Sequence, residues 1–283
     1  MCGIAGLFGY LKTSPPVDRN SLDRMTRAMI PRGPDGDGTW ISGENGVGLG
    51  HRRLSIIDLS EGGAQPMVLD GNRLSITYNG EIYNFRALRE ELECEGAKFV
   101  SGSDTEVLLH LYDRHGTSMV EKLRGMFSFA IFDRNKRGLF LARDGFGIKP
   151  LYYTDDGATF RFASQVKALL AGGGIDTAPS ATGQAGFYVW GYVPEPWTMF
   201  ENIRALPAGC TLWIDGNGVR TPRRYFDVTD VLQAAADGPS DWAQTELRAA
   251  LLDTLKHHLV ADVPVGAFLS AGLDSATIVG LTS

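Results

Sequence analysis

Phe127-Ser128-Phe129-Ala130-Ile131-Phe132-Asp133, then Arg134-Asn135-Lys136-Arg137, then Gly138-Leu139-Phe140-Leu141-Ala142-Arg143: two apolar runs of strand length flank a short polar turn. The pattern predicts an antiparallel hairpin around Asn135. Downstream, residues 152–153 and 159–163 continue the β pattern. Upstream, residues 2–10, 46–54 and 73–78 read as strands. Helical spacing interrupts them three times. Residues 21–30 place Leu22, Met25 and Met29 on one stripe, residues 83–96 end at Gly96, and residues 105–115 carry Val107, Leu108, Leu111 and Tyr112 on one side. Sequential antiparallel strands with a few helices predict an α+β layered domain.

Composition fits that reading. The chain has 283 residues, a length that suggests one or two domains. Hydrophobic residues make up 43% and charged residues 21%, enough apolar surface to build a core. Glycine is high, at 35 residues, against a usual share of about 7%. That implies many turns or close backbone approaches. The net charge is −6 and the isoelectric point is near 5.4. No basic stripe exists, which argues against a nucleic-acid partner. No apolar run reaches the ~20 residues a membrane span needs. The apolar start has no basic region and no cleavage site, so a buried strand is favoured over a signal peptide. Cys2, Cys94 and Cys210 are odd in number and widely spaced. They suit neither a disulfide framework nor a zinc cluster, so a reducing, cytoplasmic setting is expected. The five histidines show no metal spacing, and no metal ligands are expected.

The pattern changes after Pro207. Residues 211–214 with the turn Asp215-Gly216-Asn217-Gly218 predict a hairpin leading to Arg224-Tyr225-Phe226-Asp227. Residues 228–240 read as a linker, with Asp237-Gly238-Pro239-Ser240 as its clearest break. Residues 242–258 carry an amphipathic helix. Residues 263–269 are a continuous apolar run ending in Ser270-Ala271-Gly272-Leu273-Asp274-Ser275, where a further helix starts. A strand buried on both faces, a small-residue loop and a helix predict the opening of a parallel α/β domain. The expected organisation is a first domain over 2–206, a hairpin and linker over 207–240, and a second domain over 241–283. A parallel sheet needs more strands than this, so the second domain is expected only as its beginning.

Cys2 follows Met1. Loss of Met1 would put a thiol and a free α-amino group on one residue, and an α-amine with pKa about 7.7–8.0 can act as a base near neutral pH. Cys2 equally suits a small apolar position in a strand. Six further segments bear on the choice. They are Arg32-Gly33-Pro34-Asp35-Gly36, His51-Arg52-Arg53-Leu54-Ser55-Ile56, Tyr78-Asn79-Gly80-Glu81-Ile82-Tyr83-Asn84, Gly102-Ser103-Asp104-Thr105-Glu106, Gly125-Met126-Phe127-Ser128-Phe129-Ala130 and Arg143-Asp144-Gly145-Phe146-Gly147. In this order and spacing, over most of residues 2–165, the chain resembles the class II glutamine amidotransferases and, within them, the glutamine-hydrolysing asparagine synthetases. The resemblance implies an N-terminal-nucleophile fold, an αββα sandwich of antiparallel sheets.

It also implies roles. Cys2 would attack the glutamine side-chain amide, with Asn79 and Gly80 forming the oxyanion hole. Arg53 would take the substrate carboxylate, since a guanidinium fork suits a carboxylate. Leu54, Ser55, Ile56 and Ile57 would supply pocket backbone, and Glu81 and Asp104 would hold the substrate ammonium. Local readings stand beside these. Asn79-Gly80 favours a type I′ hairpin turn on its own, Arg53 suits a surface charge, and Asp104 suits the N-cap of the next helix. Gly80 would leave room for the ligand's close approach. The segment 32–36 gets no assigned role, because Pro31 stands where many relatives have His. Cys94 and Cys210 read as structural.

Leu269, Ser270, Ala271, Gly272, Leu273, Asp274 and Ser275 resemble the pyrophosphate loop of ATP pyrophosphatases, in which a small-residue loop at a helix N-terminus presents N–H groups to an anion. Ala271 stands where the usual motif has Gly, a strained choice if that position needs positive φ. The resemblance implies a ligase that uses ATP and Mg2+ to activate the aspartate β-carboxylate as an acyl-adenylate, which ammonia then displaces. This chain is expected to hold the glutaminase half. A related amidotransferase acting on another carboxylate acceptor, and a non-catalytic remnant, are the alternatives. A homodimer is left open.

Overall fold

The computed structural model describes residues 1–44, 46–236 and 244–282. In chain order the elements are β1 (Gly3–Gly9), α1 (Arg19–Arg27), β2 (Gly36–Ile41), β3 (Val47–Arg53), β4 (Met67–Leu69), β5 (Leu74–Ile82), α2 (Phe85–Cys94), α3 (Asp104–His115), β6 (Gly125–Asp133), β7 (Gly138–Arg143), β8 (Tyr152–Asp155), β9 (Thr159–Ala163), α4 (Val166–Gly172), α5 (Ala181–Trp190), β10 (Arg204–Ala205), β11 (Cys210–Asp215), β12 (Gly218–Val219), β13 (Arg223–Arg224), α6 (Val228–Ala236), α7 (Gln244–His258) and α8 (Leu273–Thr282). The hairpin around Asn135 is β6 and β7, closing at Asp133 opposite Gly138.

Two antiparallel sheets result. One has the order β10-β8-β9-β1-β3-β2; the other has the order β12-β11-β7-β6-β5-β4, with β13 also on β11. Strand alternation explains why residues 129–132 are apolar without a break. On β6, Phe129 and Ile131 face outward into a core with α2 and α3, whose Leu88, Val107, Leu108 and Tyr112 cover the sheet. Ala130 and Phe132 face inward, against Ile4, Phe8 and Leu49 of the other sheet. On that sheet's far side, Ala5, Leu7 and Ala163 meet Leu22 and Met25 of α1, Met29 just after it, and Leu169 of α4. The layers are helix, sheet, sheet, helix. Caps set the helix starts: Asp18 accepts from Asn20 N–H and Ser21 N–H at α1, and Ser103 accepts from Thr105 N–H at α3.

Several expectations are corrected. Asn79-Gly80 is no turn: β5 runs nine residues through it, with Asn79 opposite Ser128 and Gly80 opposite Phe127. Asp104 is not the cap of α3; Ser103 is, which frees the Asp104 carboxylate to face elsewhere. The hairpin set apart within 207–240 is part of the sandwich, because β11 pairs with β7 over four residue pairs. Residues read as linker form α6 over Val228–Ala236, while the proposed break at 237–240 lies outside the described residues. The strand expected at 263–269 does not form: the segment is irregular, and Phe268 and Leu269 are exposed. A strand takes its backbone partners from neighbours, and among the described residues no strand lies beside this run. Residues 244–282 contribute two helices rather than a parallel sheet. No helix among the described residues is long and apolar enough to cross a membrane.

Candidate active site

β1 lies between β9 and β3, so Cys2 hangs from the end of an internal strand. Gly3 pairs with Arg52 of β3, which brings Leu54 alongside the nucleophile candidate. Leu54 N–H donates to Cys2 Sγ at 3.3 Å, and the thiol lies 3.5 Å from Leu54 O. Arg32 Nε donates to Cys2 O at 2.8 Å. Burial pushes the thiol pKa up, and the Leu54 contact pulls it back. Burial lowers the pKa of the Met1 amine, a trend that nearby Lys149 and Arg32 reinforce.

The second sheet delivers Asn79 and Gly80 opposite. Alternation sends the Asn79 side chain toward the first sheet, alongside Thr77, whose hydroxyl reaches Gly50 O of β3. Asn79 is 1% exposed, and neither its Oδ1 nor its Nδ2 has a hydrogen-bond partner among the described residues. A buried amide left unpaired costs stability, so the position points to a ligand. Tyr78 N–H donates to Gln65 Oε1 at 2.7 Å and Ile82 N–H to Asp104 Oδ2 at 3.0 Å. Alternation along β5 puts Gly80 N–H on the same edge, between those two. Both backbone groups of the facing residue, Phe127, are engaged by Asp144 instead. The reason for glycine here differs from the expected ligand clearance. A Cβ on Gly80 would sit 2.3 Å from Met126 O and 2.8 Å from Phe127 Cα, so it is the neighbouring strand that excludes a side chain.

One pocket is lined by Cys2, Arg53, Leu54, Ile56, Ile57, Asn79, Gly80, Glu81 and Asp104, together with Met1, Gly63, Gln65, Tyr78, Ser103, Thr105 and Lys149. Ser55 is the one predicted substrate residue outside it; its N–H donates to Asp35 Oδ2 at 2.9 Å. Arg53 is steered from behind, with Nη1 donating to Ser60 O at 3.0 Å and Nη2 to Asp58 O. Asp104 accepts from Tyr78 OH at 2.8 Å and from Ile82 N–H. Burial nevertheless pushes its pKa up to about 6. Burial also raises the pKa of Glu81, against the pull of Lys149. The cationic Arg53 and the acidic Asp104 and Glu81 therefore share one pocket with a thiol and an unpaired amide. That set can seat a zwitterion with a side-chain carbonyl aimed at Cys2.

A family model described as glutamine amidotransferase domain matches residues 1–226. The chain belongs to this family. A second model, asparagine synthase, matches residues 246–283. This amidotransferase is 40% identical to asparagine synthetase [glutamine-hydrolyzing] 1 of Bacillus subtilis, covering 99% of this chain and 44% of that protein. It is 37% identical to asparagine synthetase B [glutamine-hydrolyzing] of Escherichia coli, covering 100% of this chain and 45% of that protein. The chain thus spans less than half the length of these relatives. Among solved structures, the glutamine phosphoribosylpyrophosphate amidotransferase of B. subtilis superposes with a TM-score of 0.57 at 22% identity, over 79% of this chain and 49% of that one. That likeness supports the fold alone.

Lys149 is the buried cation among the pocket residues that sequence reasoning missed. It is 4% exposed, and no carboxylate lies within ion-pair distance of its ammonium among the described residues. Such burial of lysine is rare. It lowers the Lys149 pKa, while Glu81 and Cys2 raise it. Its signal lay two residues past the segment ending at Gly147, on the turn where Asp144 accepts from the N–H groups of Phe146, Ile148 and Lys149.

The predicted nucleotide loop, Leu269 through Ser275, stands apart from this pocket, and Leu269 through Asp274 are exposed. Ser270 N–H donates to Ser275 Oγ at 3.1 Å, the two hydroxyls meet at 2.8 Å, and Gly272 N–H donates to Ser270 Oγ at 3.2 Å. Two of the donors expected to face an anion are turned onto the loop itself, and among the described residues no strand stands behind it. As they stand, these residues do not fit ATP. Ala271 is not the obstacle, since it is absent from the non-glycine positions at positive φ, which are Asp58, Asp70, Asn72 and Arg137.

Proposed function

We propose that this chain hydrolyses glutamine to glutamate and ammonia. With Met1 removed, the Cys2 α-amine takes the thiol proton and the thiolate attacks the side-chain carboxamide carbon. Asn79 Nδ2–H and Gly80 N–H donate to the oxyanion that forms. The tetrahedral intermediate collapses to a thioester, and the amide nitrogen leaves as ammonia with the proton from the amine. Water then cleaves the thioester, restoring the thiol and releasing glutamate. Arg53 holds the substrate carboxylate; Asp104 and Glu81 hold its ammonium. One observation carries this reading: a fully buried asparagine amide, unpaired, in the same pocket as Cys2.

The ammonia is assigned to amide formation on a carboxylate, with aspartate the first candidate. The support is the asparagine synthase match over residues 246–283. No step through ATP or Mg2+ is drawn, because the loop at 270–275 does not fit the nucleotide. The test is ammonia release from glutamine by the purified chain beside Cys2→Ala, with intact mass recording loss of Met1. The expected outcome is release that disappears in the variant. Equal release by both proteins, or none from chains that have lost Met1, overturns the reading.

A further inference from the structure

The segment after α7 returns to the sandwich and clasps it. Asp262 N–H donates to Ile56 O at 2.9 Å, and Asp262 Oδ2 accepts from Asp58 N–H at 2.8 Å. The clasp straddles Ile57, which lines the pocket. α7 is moored beside the same end of the second sheet, by Arg124 Nη2 to Asp253 Oδ2 at 2.7 Å and by Tyr83 against the His258 ring at 4.4 Å.

Asp58 is the junction that gives the clasp its meaning. It holds a left-handed backbone, φ +51°, which a non-glycine residue keeps only when its surroundings enforce it. Its carbonyl accepts from Arg53 Nη2. Its Oδ1 accepts from Ser60 N–H at 3.1 Å and from the Ser60 hydroxyl at 2.5 Å. Its Oδ2 accepts from Gly102 N–H at 2.9 Å. Gly102 lies two residues before Asp104. Asp58 therefore ties the pocket's cationic pole, Arg53, to the strand of chain that leads into its anionic pole, Asp104. Asp262 fixes the Asp58 amide.

We propose that Asp262 is a positioning residue for the glutamine pocket, and that the residues after α7 set glutamine affinity through Asp58. This rests on the glutaminase reading above. Arg53 and Asp104 act on the two ends of the substrate's amino-acid group and not on the reacting amide, so misplacing them changes KM more than kcat. Linkage then requires the converse: glutamine in the pocket stabilises the docked arrangement of residues 259–262.

The experiment compares Asp262→Ala and Asp262→Asn with the parent chain in glutamine-dependent ammonia release, with Cys2→Ala as the blank and thermal melts in parallel. Loss of the hydrogen bond to Asp58 is expected to raise the KM for glutamine about fivefold to tenfold, with kcat within twofold. Asn keeps an acceptor oxygen, so Asp262→Asn is expected to restore the parent KM. Both melts should stay near the parent value. An unchanged KM in Asp262→Ala overturns the proposal, as does an equal loss in the Ala and Asn variants. If the parent chain releases no ammonia above the Cys2→Ala blank, the glutaminase reading fails first and takes this one with it.

Discussion

Phe129 and Phe268 are the same side chain in two settings. Phe129 is 0% exposed, sandwiched between β5 and β7 beneath the α2 and α3 layer; Phe268 is 101% exposed in a run just as apolar. The first has strands on both sides and helices above. The second has no neighbouring strand among the described residues. Hydrophobicity marks what can be buried, and only a partner surface decides whether it is. The contrast extends to the two candidate sites. The pocket around Cys2 is gathered from β1, β3, β5 and α3, each held by its own core. The loop at 270–275 is held mainly by its own serines and the start of α8.

Mutating the two phenylalanines is the most direct way to break the comparison. Phe129→Ala is expected to cost about 3–5 kcal/mol of stability, the range for truncating a core aromatic, measured by denaturant unfolding. A loss below about 1 kcal/mol would show that the sandwich is not the stability core. Next in size, Asn79→Ala is expected to lower kcat for ammonia release by roughly 10²–10³. Its melt should hardly move, because the Asn79 amide has no hydrogen bond to lose among the described residues. A large drop in stability with modest kinetic loss would return Asn79 to a structural role.

Acidity sharpens the comparison within the pocket. Burial lifts the Asp104 pKa to about 6, so below that pH the carboxyl carries a proton and cannot hold an ammonium. The KM for glutamine should rise by up to about tenfold per pH unit below 6. The stability sign is opposite. Between the ordinary 3.8 and about 6, the folded chain keeps a proton that the unfolded chain has released. The stability linked to this group is thus fully present below 3.8 and lost as pH rises through 6. Asp104→Asn should therefore melt above the parent at pH 8, with the gap closing toward pH 4, while losing glutamine affinity. A melt that drops at pH 8 would mean the hydrogen bonds from Tyr78 and Ile82 outweigh the charge. The smallest expected effect completes the pair: Phe268→Ala should change stability by no more than about 0.5 kcal/mol.

Much of the fold was legible because periodicity is local. The β6–β7 hairpin, the buried stripe of α3 and the strand through Gly3–Gly9 follow from side-chain spacing alone. The errors fell where a local rule met a distant partner. Asn79-Gly80 prefers a turn in isolation, yet β6 pairs with it and keeps the strand extended, and the crowding by Met126 O that enforces glycine is invisible without β6. Lys149 has no spacing relation to Cys2; the Asp144-capped turn brings it there. Ser55 sits between Leu54 and Ile56, which line the pocket, and only the Asp35 contact shows that its amide is already engaged.

The position of β1 bears on the order of events during synthesis. β1 precedes the other strands of both sheets along the chain, yet it lies between β3 and β9, and Ile4 N–H donates to Ser164 Oγ across 160 residues of sequence. One side of β1 can pair as soon as β3 emerges; the other waits until Ala163 has been made. Such long-range pairing is slow and comes late. Cys2 thus sits on a strand whose second edge is filled only after β3 through β8 have been made. A nascent chain gains its pocket only once most of the domain has been translated.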